Sequence, residues 1–369
     1  MSTGFLWDER FMWHNTGLQF GPSNGRDWIE PIESLENPIA KRRIKNLLDA
    51  SGLTSKLNHL ANYSATDDDI IRVHHQSYLD EVRKISDSGG GNLAKRMAAT
   101  HIGEKGIDIA LLAAGGVISS IRSVVNGTVD NAYALIRPPG HHALAGEALG
   151  FCVFSNAAIG GAYALSQLGI DRIAFVDWDV HHGNGTQEIF WEDPRVLTIS
   201  IHQENSFPPD SGGVDEIGGG EGEGLSINIP LPPGSGELVY LHAFDRVITP
   251  ALKRFQPDLI IVPCGFDAGF HDPLGRMMLS SESFRLMTSR IMQTAEEICQ
   301  GRIVMTHEGG YSPHSVPFHC LAVIEQLSGI RTDVVDPFLA GIKQNTSSKI
   351  LQHQENAIKL SEVLLANIN

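Results

Sequence analysis

Asp177, Asp179 and His181 recur at every second position at the end of a short apolar run, Ile173-Ala-Phe-Val176, and Gly183-Asn184-Gly185 follows at once. Side chains alternate along a strand, so three residues in this phase point to one side. Two carboxylates and an imidazole that converge are ligand types for a borderline divalent cation such as zinc. The glycines then let the backbone turn away from the cluster. Charged strand ends are common. The in-phase histidine, the adjoining His182 and the glycine turn set this one apart.

A catalytic zinc ion keeps three protein ligands and an open position for water. The best third ligand is Asp267, in the Gly265-Phe-Asp267 turn after an apolar run over 259–264. An ion so held lowers the pKa of its water from about 15.7 to about 7. A base is then needed to take a proton and return it to a leaving amine. The tandem pair His141-His142, placed by the rigid Arg137-Pro-Pro-Gly140, suits that task. A second tandem pair, His74-His75, has no such setting and reads as incidental. Amide hydrolysis also builds an oxyanion that needs a donor, and Tyr311, after Gly309-Gly310, offers a hydroxyl.

These residues need a scaffold that brings distant segments together. Runs at 133–136, 173–176, 196–201, 225–229, 259–264 and 303–306 read as buried strands. Between them, 107–125, 157–168, 238–255, 281–299 and 319–327 read as helices, the third kinked or broken by Pro250. Such alternation predicts an α/β fold: one domain over residues 1–369, with an open, mostly parallel central sheet flanked by helices. The first hundred residues read as more helical, with Thr66 capping the acidic start of a turn at 70–73. Their aromatic residues Trp7, Trp13, Phe20 and Trp28 read as core packing. Gly89–Gly91 and the glycine-rich stretch 218–224 read as loops rather than linkers. Five of the strands run into polar, glycine-rich or aromatic residues at their carboxyl ends, the second, third and fifth into Asp177, His202 and Asp267. That edge is where open α/β sheets bind ligands.

The formal charge of −15 disfavours direct nucleic-acid binding, which needs a basic face. Four cysteines without paired spacing read as free buried thiols of a reducing compartment. The start of the chain lacks a basic and then apolar leader, and no apolar run reads as long enough to span a membrane. A cytoplasmic protein is expected.

The set Arg137-Pro-Pro-Gly-His-His142, Gly150-Phe-Cys152, Asp177-Trp-Asp-Val-His-His-Gly-Asn-Gly-Thr-Gln187, Gly265-Phe-Asp267 and Glu308-Gly-Gly-Tyr311 resembles the zinc-dependent histone deacetylase family. The likeness lies on its class II side, with the bacterial histone deacetylase-like and acetylpolyamine amidohydrolases, and the segment Phe207-Pro-Pro-Asp-Ser-Gly212 is similar to the former. The resemblance implies an enzyme that removes acetyl groups from acetyl-lysine or other acetylated amines. Asp179, His181 and Asp267 would bind one Zn²⁺, and His142 would be general base and acid with His141 beside it. Asp177 would hold His141, Asn184 would orient His142, and Tyr311 would stabilise the oxyanion. Phe151, Phe207, Leu274 and Gly310 would line the substrate channel. A structural K⁺ would use Asp177, Asp179, His181, Ser200 and Ile201. Relatives often associate, which leaves a homo-oligomer open. An acetylpolyamine deacetylase is the alternative within the family. More remote are a non-catalytic binding module on this fold and a dinuclear arginase-like ureohydrolase, in which a second carboxylate would stand where this chain has Gly269.

Overall fold

The β-branched and aliphatic runs become strands of a single eight-stranded parallel sheet. The computed structural model describes residues 1–19, 32–96 and 100–368. In chain order the strands are β1 (Thr3–Leu6), β2 (Asn58–His59), β3 (Asn131–Ala134), β4 (Ile173–Asp177), β5 (Val196–Gln203), β6 (Ser226–Leu231), β7 (Leu259–Cys264) and β8 (Ile303–His307). Their spatial order is β6-β5-β4-β7-β8-β3-β1-β2, and every pairing is parallel. All carboxyl ends therefore lie along one edge.

Both faces of the sheet are covered. On β4, Ala174 and Val176 join the core that holds the helices Ile39–Ala50, Ser281–Cys299 and Val316–Ser328. Ile173 and Phe175 point the other way, into the core with Gly106–Val125 and Asn156–Gln167. Two covered faces explain why the strand sequences are continuously apolar rather than alternating.

The expected strands and helices are present with ends shifted by a few residues, but four expectations need correction. The first hundred residues do form helices at Ile39–Ala50 and Gln76–Asp87, yet they also supply β1 and β2. β1 is a wholly buried four-residue Thr-Gly-Phe-Leu strand between β3 and β2, too short to show a period. Pro250 does not break its segment sharply. It sits in the first turn of Thr249–Phe255, and a π-helical turn at Phe244–Ile248 precedes it. The wider turn accommodates a residue that has no N–H to donate. Gly90 and Gly91 are not simply a loop, because Gly90–Asn92 pairs with His101–Gly103. Finally, the Gly106–Val125 helix does reach membrane-spanning length and hydropathy, although most of it is buried as a core helix. Thr66 caps its helical turn as expected, reciprocally with Asp69. Phe11 is fully buried and Trp7 packs on the core, whereas Trp13 is exposed; Phe20 and Trp28 lie outside the described residues.

Candidate active site

β4 ends at Asp177, so strand alternation does not place Asp179 and His181; the turn does. Asp177 Oδ1 accepts the Asp179 N–H at 3.0 Å, and Asp179 Oδ1 accepts the His181 N–H at 3.0 Å. These side-chain-to-backbone turns wind the segment tightly. Asp267 arrives from the end of the neighbouring β7. His181 Nδ1 then lies 3.1 Å from both Asp179 Oδ1 and Asp267 Oδ2. All three residues are buried, and one ligand atom of each lies within 4.8 Å of the others.

Most of the remaining lone pairs are satisfied. Asp267 Oδ1 accepts from Val180 N at 2.8 Å, and Asp179 Oδ2 accepts from Gly309 N at 2.8 Å. A Cβ at Gly309 would stand 2.2 Å from Asp267 Oδ2, so only glycine lets the β8 turn approach this closely. Among the described residues Asp267 Oδ2 receives no aligned hydrogen bond. A buried carboxylate oxygen without a donor is costly unless a cation faces it. Burial and the Asp179 charge push Asp267 up to about 6. Burial opposes charge on His181, but Asp179 and Asp267 outweigh it and raise the imidazole to about 10. Two carboxylates sharing one imidazole form a site short of positive charge, and the donor set fits a zinc-like ion.

Beside this cluster the rings of His141 and His142 lie 3.9 Å apart. His141 Nδ1–H donates to Asp177 Oδ2 at 2.9 Å, and His142 Nδ1–H donates to Asn184 Oδ1 at 2.8 Å. Burial opposes charge on His141, but Asp179 and Asp177 prevail and raise it to about 10. Burial, then repulsion from His141 and His181, drives His142 well below its ordinary value. The pair is thus split into a cation and a neutral base whose Nε2 can accept a proton.

The aromatic residues gather at the same place. The Phe207 ring is 4.9 Å from His142 and 6.0 Å from His181, and Phe151 is 5.9 Å from Tyr311. Phe151 adopts φ 70°, unusual for a bulky side chain. Its N–H donates to Thr100 Oγ1 at 3.1 Å. Gly310 also has a positive φ, 125°, and packs on Phe266. Leu274 is partly exposed, in the turn beyond Asp267. Burial raises the Tyr311 hydroxyl well above its usual value, so it stays protonated and can donate.

Several supports escape sequence reading. Glu308 Oε2 accepts from Gly140 N at 2.6 Å and His141 N at 3.1 Å, fixing the histidine loop from β8. His182 does not join the metal ligands: its Nε2–H donates to Gln187 Oε1 at 3.2 Å and its Nδ1 accepts from Ser211 Oγ at 2.7 Å. Gln187 donates to Glu216, which also accepts from Gly212 N, and this network ties down the loop that carries Phe207. His202 lies within β5 rather than past its end, bonded to Ser200 Oγ and Gly212 O. His74 is a core residue whose Nε2 accepts the Ser155 N–H. Arg137, besides leading into the histidine pair, is buried in a three-way ion cluster with Glu36 and Lys41. Only the acceptor of a backbone amide, not its donor, leaves a mark in sequence, and any carboxylate can serve.

Residues 34–327 match the histone deacetylase domain family. The chain is 46% identical over 338 residues to a histone deacetylase-like amidohydrolase of Pseudomonas aeruginosa, covering 91% of this chain and 88% of that protein. The chain belongs to the histone deacetylase family. It is also 38% identical over 356 residues to a probable deacetylase of Archaeoglobus fulgidus, covering 93% of this chain and 96% of that one. Among solved structures, the crystal structure of the HDA15 HD domain superposes with a TM-score of 0.81 at 32% identity, covering 99% of this chain and 98% of that one. The histone deacetylase fold accounts for the parallel sheet with its loops at one edge, and its deacetylase and amidohydrolase relatives mark the chain as a hydrolase.

Proposed function

We propose that this histone deacetylase relative is a zinc-dependent amidohydrolase that removes acetyl groups from acetyl-lysine-like amines. The reading rests on the buried Asp179–His181–Asp267 cluster, in which Asp267 Oδ2 faces His181 without an aligned hydrogen bond among the described residues, beside a charged and a neutral histidine. Bound there, a single zinc ion would supply Lewis acidity and a water of lowered pKa. His142, neutral and oriented by Asn184, takes a proton at Nε2 and returns it to the leaving amine. His141, held as a cation by Asp177, offsets the negative charge that builds up nearby. Tyr311 donates its hydroxyl to the oxygen that becomes negative, and Phe151, Phe207, Leu274 and Gly310 form the channel for the acyl-bearing chain. A dinuclear site is disfavoured: a Cβ at Gly269 would meet His319 at 2.5 Å, leaving no room for a second carboxylate.

A structural potassium ion would use Asp177, Asp179, His181, Ser200 and Ile201; Asp177 and Ser200 are register partners across β4 and β5. Four buried, unpaired cysteines support placing the protein in the cytoplasm. The deciding experiment measures metal content and turnover of an acetyl-lysine peptide and of acetylspermidine. Tyr311→Phe and His142→Ala should each cut turnover at least about 100-fold with zinc retained, and Asp179→Ala should lose the metal. Near-normal turnover in either of the first two would overturn the roles. Preference for acetylspermidine would reassign the substrate but keep the chemistry.

A further inference from the structure

The turn after β7 carries a second buried carboxylate, Asp272, that takes no part in the chemistry described above. It is 7% exposed, and among the described residues its carboxylate is met by backbone N–H groups rather than by a lysine, arginine or histidine. Its partners are backbone amides. Oδ2 accepts from Tyr311 N at 2.7 Å and Ser312 N at 3.3 Å, and Oδ1 accepts from Leu274 N at 2.9 Å. Its own N–H is tied to Gly269 O at 3.0 Å. One carboxylate thus joins the turn after β7, where Leu274 lies, to the turn after β8, where Tyr311 lies.

Tyr311 needs such an anchor. It follows Gly309 and Gly310, and Gly310 takes φ 125°, a region open to few other residues. Gly309 is held from the metal side by Asp179 Oδ2, and the Tyr311 amide is held by Asp272 from the other. The backbone of a residue sets the direction of its Cα–Cβ bond, so holding the amide of residue 311 fixes the point from which the phenol extends and leaves only its χ1 and χ2 rotamers to choose. An asparagine in place of Asp272 has one acceptor oxygen and one NH₂ group. It would face an amide donor with another donor on one side or the other. The buried carboxylate is kept despite its desolvation cost, which, with the charge of Asp267, pushes it up to about 7.

We propose that Asp272 is a positioning residue of the deacetylation, locking the Tyr311 turn to the Leu274 turn so that the phenol meets the developing oxyanion. This rests on the role given to Tyr311 above. Misplacement of a reacting group by about 1 Å can cost on the order of 100-fold in rate.

The test is a double-mutant cycle on the full-length zinc enzyme with an acetyl-lysine peptide. Asp272→Asn is introduced alone and together with Tyr311→Phe, and zinc content and thermal melting are followed in parallel. In the otherwise unaltered enzyme kcat should fall about 10- to 100-fold with KM changed less than about 3-fold and zinc retained. In the Tyr311→Phe enzyme the same change should cost less than about 3-fold, because the group being positioned is already gone. An equal loss in both backgrounds, or no loss in either, overturns the proposal. If Tyr311→Phe alone leaves turnover intact, the role of Tyr311 fails first and takes this proposal with it. Should Asp272→Asn not fold, hydrogen exchange on the unaltered protein decides. The Tyr311 and Leu274 amides must exchange slowly, and exchange as fast as exposed turns overturns the clamp.

Discussion

His141 and His142 are chemically identical neighbours that the surroundings drive to opposite charge states. Asp177 faces one and Asn184 the other, at 2.9 and 2.8 Å. In the proposed mechanism the neutrality of Asn184 would keep His142 available as a base at neutral pH. Replacing Asn184 with aspartate would favour the imidazolium and raise the pKa of His142. The acid limb of the kcat/KM profile reports that pKa, since activity is lost as pH falls through it. Asn184→Asp should therefore move the limb to higher pH, by about one unit or more. A profile superposable on that of the parent enzyme would remove Asn184 from this role. At this scale the sequence was informative where uncommon side chains fall at strand ends, as with Asp179, His181 and Asp267, which meet in one buried cluster. It gave no role to Glu308, Asp272 or Glu216, whose partners are mainly backbone amides.

The strand-end turns are held by elements far away in sequence. Arg137, at the start of the histidine loop, donates to Glu36 at 2.9 Å and to the His14 carbonyl at 2.6 Å; Lys41, on the Ile39–Ala50 helix, reaches Glu36 at 2.8 Å. Burial works against charge on Glu36, yet Arg137 and Lys41 outweigh it and hold its carboxyl down at about 2. Removing the shared anion leaves two buried cations unpaired, so Glu36→Ala should cost about 3–5 kcal/mol of stability in denaturant melts. A loss below about 1 kcal/mol would show that water or rearrangement compensates. Because the cluster also orders the histidine loop, turnover should fall with stability. The residues were visible in sequence, but their meeting depends on long-range docking that no local pattern encodes. β1 and β2 were missed for a related reason: four and two residues carry no measurable period, and their pairing with β3 and each other makes them strands.

Across the whole molecule, histidines buried without charge make the fold sensitive to acid. Burial, with Arg137 adding to it, lowers His14 to about 3; burial lowers His74 to about 4; burial, with His271 adding to it, lowers His319 to about 3. Between those values and about 6.5 the unfolded chain binds protons that the native state does not, so stability falls as pH drops from 6.5 towards 4. Each site contributes up to about 1.4 kcal/mol per pH unit in that window. His319 is the cleanest test. Among the described residues neither ring nitrogen has a hydrogen-bond partner, and the ring packs 5.0 Å from Phe284. His319→Phe should hold stability at pH 7 within about 1 kcal/mol and make the slope between pH 4.5 and 6 shallower by about one proton. Urea midpoints across that range would measure it, and an unchanged slope would exclude His319 as a contributor.

The position of β8 in the sheet has a consequence for how the protein is made. β8 is hydrogen-bonded on one side to β7 and on the other to β3. Until residues 303–307 leave the ribosome, the nascent chain can build only β6-β5-β4-β7 and β3-β1-β2, two half-sheets with an unpaired apolar edge each. Such edges are templates for pairing with other chains. A message truncated just upstream of this strand would therefore yield a product prone to cross-association, although it would already carry every proposed metal ligand.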